Sequence, residues 1–187
     1  DLHAGQIQGF FNIPVDELTA LPILARHFQE RNLHDPVVVA VDIGISKRAR
    51  DMAELLGVPL AIVEKRRKDN SENTEVLNII GDVKGKTAIT FDDETDTAGS
   101  LMTAIDALNQ AGVGEVFACS THGVLSLQAS ERINRSKIAE MVITDSLPHV
   151  SNGVSSKLTV LSVAPLLGEA IYRIHEGRSV AAMFTEL

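Results

Sequence analysis

Thr87-Ala88-Ile89-Thr90-Phe91-Asp92-Asp93-Glu94-Thr95-Asp96-Thr97-Ala98-Gly99-Ser100 is the stretch that decides the fold. An apolar, strand-forming run from Thr87 to Phe91 gives way to acids and then to small and hydroxyl side chains. From there Leu101, Met102, Ile105 and Leu108 share one helical face until Gly112 ends the element. This reads as a strand, a loop from Asp92 to Ser100, and a helix. The same order recurs on either side. Upstream, Val37 to Val41 leads through Asp42-Ile43-Gly44 into a helix, Ser46 to Leu56, with Ala49, Met52, Ala53 and Leu56 at helical spacing, and Leu60 to Val63 is a short strand. Downstream come a strand from Glu115 to Cys119, a short helix from Ser126 to Asn134 and a strand from Glu140 to Thr144. Strands that are apolar throughout, separated by amphipathic helices, imply a parallel sheet covered on both faces, hence a doubly wound α/β domain with flanking helices. The expected flanks are a helix from about Asp16 to Arg31, then strand Leu158 to Val163 and helix Leu166 to Glu176. Lys65 to Asn73 is basic, polar and without periodicity, so it is expected to be a mobile loop.

The chain has 187 residues, 17 Lys and Arg against 25 Asp and Glu, a formal charge of −8 and a hydrophobic fraction of 44%. That length and composition support a real core for one domain of ordinary size and exclude disorder as a description of the whole. The longest apolar stretch, Pro36 to Val41, is far short of the ~20 residues of a membrane span, and the acidic balance opposes general nucleic-acid binding. Neither a membrane nor a nucleic acid is expected as a partner. Cys119 has no partner for a disulfide and no Cys/His spacing suggests structural zinc, a pattern that fits a reducing, cytoplasmic setting. The chain opens on Asp1 rather than Met and is expected to continue a longer protein. Residues 1–15 read as the end of an N-terminal domain and linker, 16–157 as the α/β domain, and 158–187 as a terminal strand and helix packing on the N-terminal domain.

In open α/β sheets ligands bind at the carboxyl ends of the strands, which is where the acidic segment falls. Thr97, Gly99 and Ser100 offer hydroxyls and backbone N–H groups at a helix N-terminus, where the dipole favours an anion such as phosphate. Asp92 and Asp93 suit sugar hydroxyls, or a metal carried by a substrate, because carboxylates accept hydrogen bonds and bind hard cations. The plain alternative is an N-cap with solvated acids. Paired acids at a strand end, Asp96 beyond them and a turn of small residues make a longer pattern than capping needs.

Asp92 to Ser100 resembles the phosphoribosyl diphosphate (PRPP) loop of the type I phosphoribosyltransferase fold. Asp1-Leu2-His3-Ala4-Gly5-Gln6-Ile7-Gln8-Gly9-Phe10-Phe11 with Ile13-Pro14-Val15-Asp16 is similar to a segment of the ribose-phosphate diphosphokinase (PRPP synthetase) family. So are Lys65-Arg66-Arg67, Asn78 to Val83, Ala118 to Ser126 and Leu161 to Leu167. The likeness covers nearly the whole chain and begins near the middle of a typical member, so it implies the C-terminal portion.

Members of that family transfer the diphosphate of ATP, with Mg2+, to the anomeric hydroxyl of ribose 5-phosphate. The resemblance implies that Asp96, Thr97, Ala98, Gly99 and Ser100 hold the 5-phosphate and that Asp92 and Asp93 hold the ribose 2- and 3-hydroxyls. It implies a metal role for His3 and Asp42, and a catalytic role for Lys65 and Arg67, whose charge would offset that of the moving diphosphate. Read without it, His3 is a terminal histidine with no ligand spacing, Asp42 is a strand-end acid, and Lys65 and Arg67 belong to a solvated basic run. His122, at the same sheet edge, is either a lining residue or a satisfied loop histidine. Ser179, Val180 and Phe184 match a terminal segment that implies regulation by ADP and inorganic phosphate, and the family implies a homo-oligomer, a hexamer of dimers. Ile45 stands where the family has a glycine, which predicts a narrower diphosphate pocket or displaced backbone donors there, and Glu94 and Thr95 add polarity beside the acidic pair. Other readings are a non-catalytic subunit associated with a synthetase and a transferase that consumes PRPP.

Overall fold

The computed structural model describes residues 1–67, 75–126, 128–148 and 156–184, without the side chains of 65–67 and 75–77. Val37, Val38, Val39 and Ala40 are wholly buried, as a strand with neighbours on both edges and helices on both faces requires. They form β1 (Pro36–Ala40), parallel to β2 (Leu60–Arg67) on one side and to β4 (Thr87–Thr95) on the other. Beyond β4 follow β5 (Glu115–Gly123), β6 (Ile138–Thr144) and β7 (Leu158–Leu161), all parallel. Beyond β2 lies β3 (Glu75–Ile80), which is antiparallel. The sheet thus has seven strands in the order β3-β2-β1-β4-β5-β6-β7. No helix among the described residues is long and apolar enough to cross a membrane.

The helices are α1 (Leu21–Glu30), α2 (Ser46–Leu56), α3 (Gly99–Gln110), α4 (Ala129–Arg135) and α5 (Ala164–His175). The β1-to-β2 and β4-to-β5 crossovers run in opposite directions across the sheet, so right-handed connection places α2 and α3 on opposite faces. α1 packs beside α2, and α4 beside α3. Leu24 and Phe28 of α1, Met52 of α2, Phe91 of β4, and Ile105 and Leu108 of α3 are almost fully buried against the strands.

Several boundaries differ from those expected. β4 continues through Asp92, Asp93 and Glu94 to Thr95, because these residues stay in register with Ser120, His122 and Gly123 of β5. The ladder overrides the poor strand propensity of the acids, and the turn shrinks to Asp96, Thr97 and Ala98. Part of the expected mobile loop is also strand. Lys65, Arg66 and Arg67 pair through the backbone with Leu77, Val76 and Glu75 of β3, an element absent from the sequence reading, while 68–74 lie outside the described residues. α1 starts at Leu21, later than Asp16, with Pro22 in its first turn. Thr19 Oγ1 accepts from Leu21 N, and the Asp1 carboxylate accepts from Ala20 N at 2.8 Å. β7 pairs with β6, so the expected boundary at 157/158 falls inside the sheet.

Gly81 closes β3 at φ 112°, and a Cβ there would lie 2.9 Å from Ala61 Cβ and 3.1 Å from the Leu60 carbonyl oxygen. Both the backbone conformation and the space demand glycine. Gly81→Ala is expected to destabilise the protein by about 2 kcal/mol in chemical denaturation.

Candidate active site at the sheet switch point

β1 and β4 are neighbours whose connections lead away in opposite directions, and a sheet of this kind opens a crevice outside such strand ends. A cleft of about 200 Å³ lies there, walled by His3, Asp42, Asp92, Asp93, Glu94 and residues 95–101. Nine of the residues singled out from the sequence therefore meet in one place: His3, Asp42, Asp92, Asp93, Asp96, Thr97, Ala98, Gly99 and Ser100.

Asp42 follows β1, and its Oδ1 accepts from Ile45 N at 3.1 Å, which tightens the turn into α2. Ile45 is only 8% exposed and lies in the hydrophobic core, with φ −86°. It is absent from the wall of this cleft, which its side chain therefore does not narrow. Asp92 Oδ1 accepts from Asp93 N at 2.9 Å. Burial pushes the Asp92 carboxyl up to about 7, with the charges of Asp93 and Asp42 adding to the effect.

Asp93 is engaged differently. Its Oδ2 lies 3.1 Å from His3 Nδ1 and 3.8 Å from Arg48 Nη1, and its Oδ1 accepts from Glu94 N. The Asp93 charge and hydrogen bond raise the His3 imidazole above its ordinary value. Arg48 was not found by sequence reasoning, since its only sequence signal is a place in the first turn of the helix after Asp42. Its Nη2 donates to the Leu2 carbonyl at 2.9 Å, and its buried Nη1 lies 3.6 Å from Asp1 Oδ1. The Asp1 carboxylate also accepts from Thr19 Oγ1 and Thr121 Oγ1 at 2.8 Å, and His122 Nε2 donates to the Asp1 carbonyl. His122 Nδ1 is 2.9 Å from Ser146 Oγ, and burial lowers its imidazole. His122 is thus a tether for the segment bearing His3 and is not in the cleft wall.

Among the described residues no group of three or more His, Cys, Asp and Glu is already arranged as a metal cage. The cleft nevertheless presents mainly carboxylate oxygens, with one imidazole at its rim. Such a donor set suits a hard cation that arrives with substrate phosphates and keeps several waters.

Beyond the acids the chain turns sharply. Ala98 is left-handed, φ 59° and ψ 14°, and α3 begins at the next residue. The left-handed position is Ala98 and not the neighbouring glycine, and a Cβ on Gly99 would meet only ordinary contacts from 3.5 Å outward. The carbonyls of Thr95 and Asp96 accept from Leu125 N and Ser126 N at 3.0 and 3.1 Å.

The side chains of Lys65 and Arg67 lie outside the described residues. Their backbone continues β2 past the level of Ala40, which pairs with Ile62, and so toward the same edge of the sheet. Phe184 lines a different cavity, about 510 Å³, between α1 and α5, whereas Ser179 and Val180 are outside its wall.

A doubly wound sheet with acids at a strand end and an anion-sized turn at its switch point defines a type I phosphoribosyltransferase-like domain. Residues 71–185 match the family described as the phosphoribosyl synthetase-associated domain, and the chain belongs to that family. It is 53% identical over 184 residues to a ribose-phosphate pyrophosphokinase of Oceanobacillus iheyensis, covering 98% of this chain and 58% of the relative. It is 55% identical over 186 residues to that of Caldanaerobacter subterraneus subsp. tengcongensis, covering 99% and 58%. The crystal structure of phosphoribosylpyrophosphate synthetase from Mycobacterium smegmatis superposes with a TM-score of 0.85 at 39% identity, over 95% of this chain and 57% of that one. The chain therefore spans under three fifths of the length of these relatives. An APRTase from Giardia lamblia, at 18% identity and TM-score 0.50 over 66% of this chain and 76% of its own, shares the fold.

Proposed function

We propose that this chain is the sugar-phosphate-binding part of a ribose-phosphate diphosphokinase, which makes PRPP and AMP from ATP and ribose 5-phosphate. The reading rests on one observation above others, the cleft in which Asp92 and Asp93 stand directly beside the turn 96–100. An acidic wall next to a helix N-terminus matches a ligand with hydroxyls at one end and a phosphate at the other. In the reaction the anomeric oxygen attacks the β-phosphorus of ATP, the bond from that phosphorus to the α,β-bridging oxygen breaks, and AMP leaves while the hydroxyl proton passes to solvent or a base.

In this reading Asp96, Thr97, Ala98, Gly99 and Ser100 bind the 5-phosphate, and Asp92 with Asp93 orients the ribose hydroxyls. Mg2+ bound to the nucleotide would be held by Asp42 and His3 and would neutralise phosphate charge. His3 meets Asp93 through Nδ1, so Nε2 could ligate once it has lost its proton, with Asp93 orienting the ring; the proton, and not Asp93, would compete with the metal. Lys65 and Arg67 supply the cations that offset charge on the moving diphosphate. ADP and inorganic phosphate as regulators through Ser179, Val180 and Phe184, and a homo-oligomeric assembly, belong to the same proposal and rest on the family resemblance.

The test is AMP formation by the intact protein from Mg-ATP, with ribose 5-phosphate and with ribose in its place. AMP is expected only with the phosphorylated sugar. Equal rates with ribose would rule out the phosphate role of the turn, and no AMP with either would rule out the transferase.

A further inference from the structure

We infer that Arg132, on α4, is a positioning residue for the phosphate turn and sets its selectivity for a phosphorylated sugar. This rests on the reading of the turn given above and deepens it. The segment that follows β5 braces the turn at three consecutive carbonyls: Leu125 N donates to Thr95 O, Ser126 N to Asp96 O, and Arg132 Nη1 to Thr97 O at 2.8 Å. All peptide bonds described are trans, so each amide N–H points away from the carbonyl of its own peptide unit. Fixing three carbonyls on the α4 side therefore turns the N–H groups of Asp96, Thr97 and Ala98 the other way, toward the cleft. Neither Thr97 N nor Ala98 N donates to a protein acceptor among the described residues. Successive free amides of this kind form an anion-binding concavity.

Arg132 acts on the least stable member of the three. The Thr97–Ala98 peptide precedes the left-handed Ala98, a conformation unfavourable for any residue with a Cβ. The backbone bonds from Leu125 and Ser126 stop one residue short of it, and among the described residues only the guanidinium reaches Thr97 O. Among the described residues no carboxylate pairs with Arg132, which is exposed. Its positive charge therefore remains unneutralised beside the start of α3, where it adds to the attraction for a dianion. Sequence reasoning had no access to this, because Arg132 reads as one more charge on the solvent face of a short helix.

The experiment titrates ribose 5-phosphate into the intact protein and into Arg132→Met and Arg132→Lys, with KM measured for both substrates and thermal midpoints recorded. Arg132→Met is expected to bind ribose 5-phosphate about ten- to thirtyfold more weakly, the loss typical of one hydrogen bond from a charged group. The KM for the sugar phosphate should rise in proportion, while kcat and the KM for ATP stay within about twofold and the midpoint within about 2 °C. Arg132→Lys should recover affinity to within about threefold of the parent, since it keeps the charge and one donor. Unchanged sugar-phosphate affinity in Arg132→Met, or equal losses for sugar phosphate and ATP, overturns the inference. A parent protein that does not bind ribose 5-phosphate instead refutes the reading of the turn, and the inference falls with it.

Discussion

Lys65→Ala is expected to lower kcat about a thousandfold while ribose 5-phosphate affinity stays within about twofold. The transferred group passes through a state in which charge spreads over its equatorial oxygens, and a well-placed cation there is worth roughly a hundred- to a thousandfold in rate. β2 carries the backbone of Lys65 beyond the end of β1, on the side of the sheet switch point away from the phosphate turn. In the proposed reading β4 and α3 supply sugar binding, so the two functions would be separable in space. A variant that loses rate and sugar-phosphate affinity in equal proportion would show that Lys65 holds the site together and does not act on the diphosphate. Single-turnover rates with saturating ribose 5-phosphate give the cleanest separation.

Much of the architecture was legible because parallel strands buried on both faces leave an unambiguous trace. Val37 to Val41 and Thr87 to Phe91 have few polar residues to mislead the reading. What escaped depended on pairing. Asp92 to Thr95 are strand because β5 continues alongside them, and β3 exists because β2 gives it a partner, neither of which is encoded locally. The site was legible where one segment carries its chemistry, as in Asp92 to Ser100. It was illegible where a distant side chain completes it. Arg48 meets Asp93 from 45 positions upstream and Arg132 meets Thr97 from 35 downstream, and a single helix-surface arginine has no periodic or motif signature. For Ile45 the sequence left open whether the side chain narrows a pocket or shifts its backbone donors, and the turn fixed by Asp42 Oδ1 places that side chain in the core.

Asp92→Asn is expected to weaken ribose 5-phosphate binding about a hundredfold at pH 8 and yet to stabilise the unliganded protein. Burial raises the Asp92 carboxyl from 3.8 to about 7. Between those values the folded state keeps a proton that the unfolded chain has lost, so this group's contribution to stability falls as pH rises from about 4 to about 7, and its full cost stands above 7. Asparagine has nearly the same shape and no charge to bury. The variant should therefore gain about 1–3 kcal/mol at pH 8 and almost nothing at pH 4, as read by chemical denaturation at both. Binding carries the opposite sign. In the proposed complex a ribose hydroxyl would donate to the ionised carboxylate, so below about pH 7 the proton would compete with the sugar, and parent affinity should fall by up to tenfold per unit as pH drops from 7 toward 5.5. Asparagine accepts weakly and does not titrate, so its affinity should be low at pH 8 and should lack that dependence. The second ionisation of the sugar phosphate, near pH 6, acts on both proteins alike and cancels in the comparison. A variant that binds as the parent does at pH 8 would remove Asp92 from the sugar site, and one that is no more stable there would show that its charge is hydrated in the empty cleft. Both effects arise from one desolvated carboxylate: the free protein bears the cost of an unpaired charge that the hydroxyls of the sugar relieve.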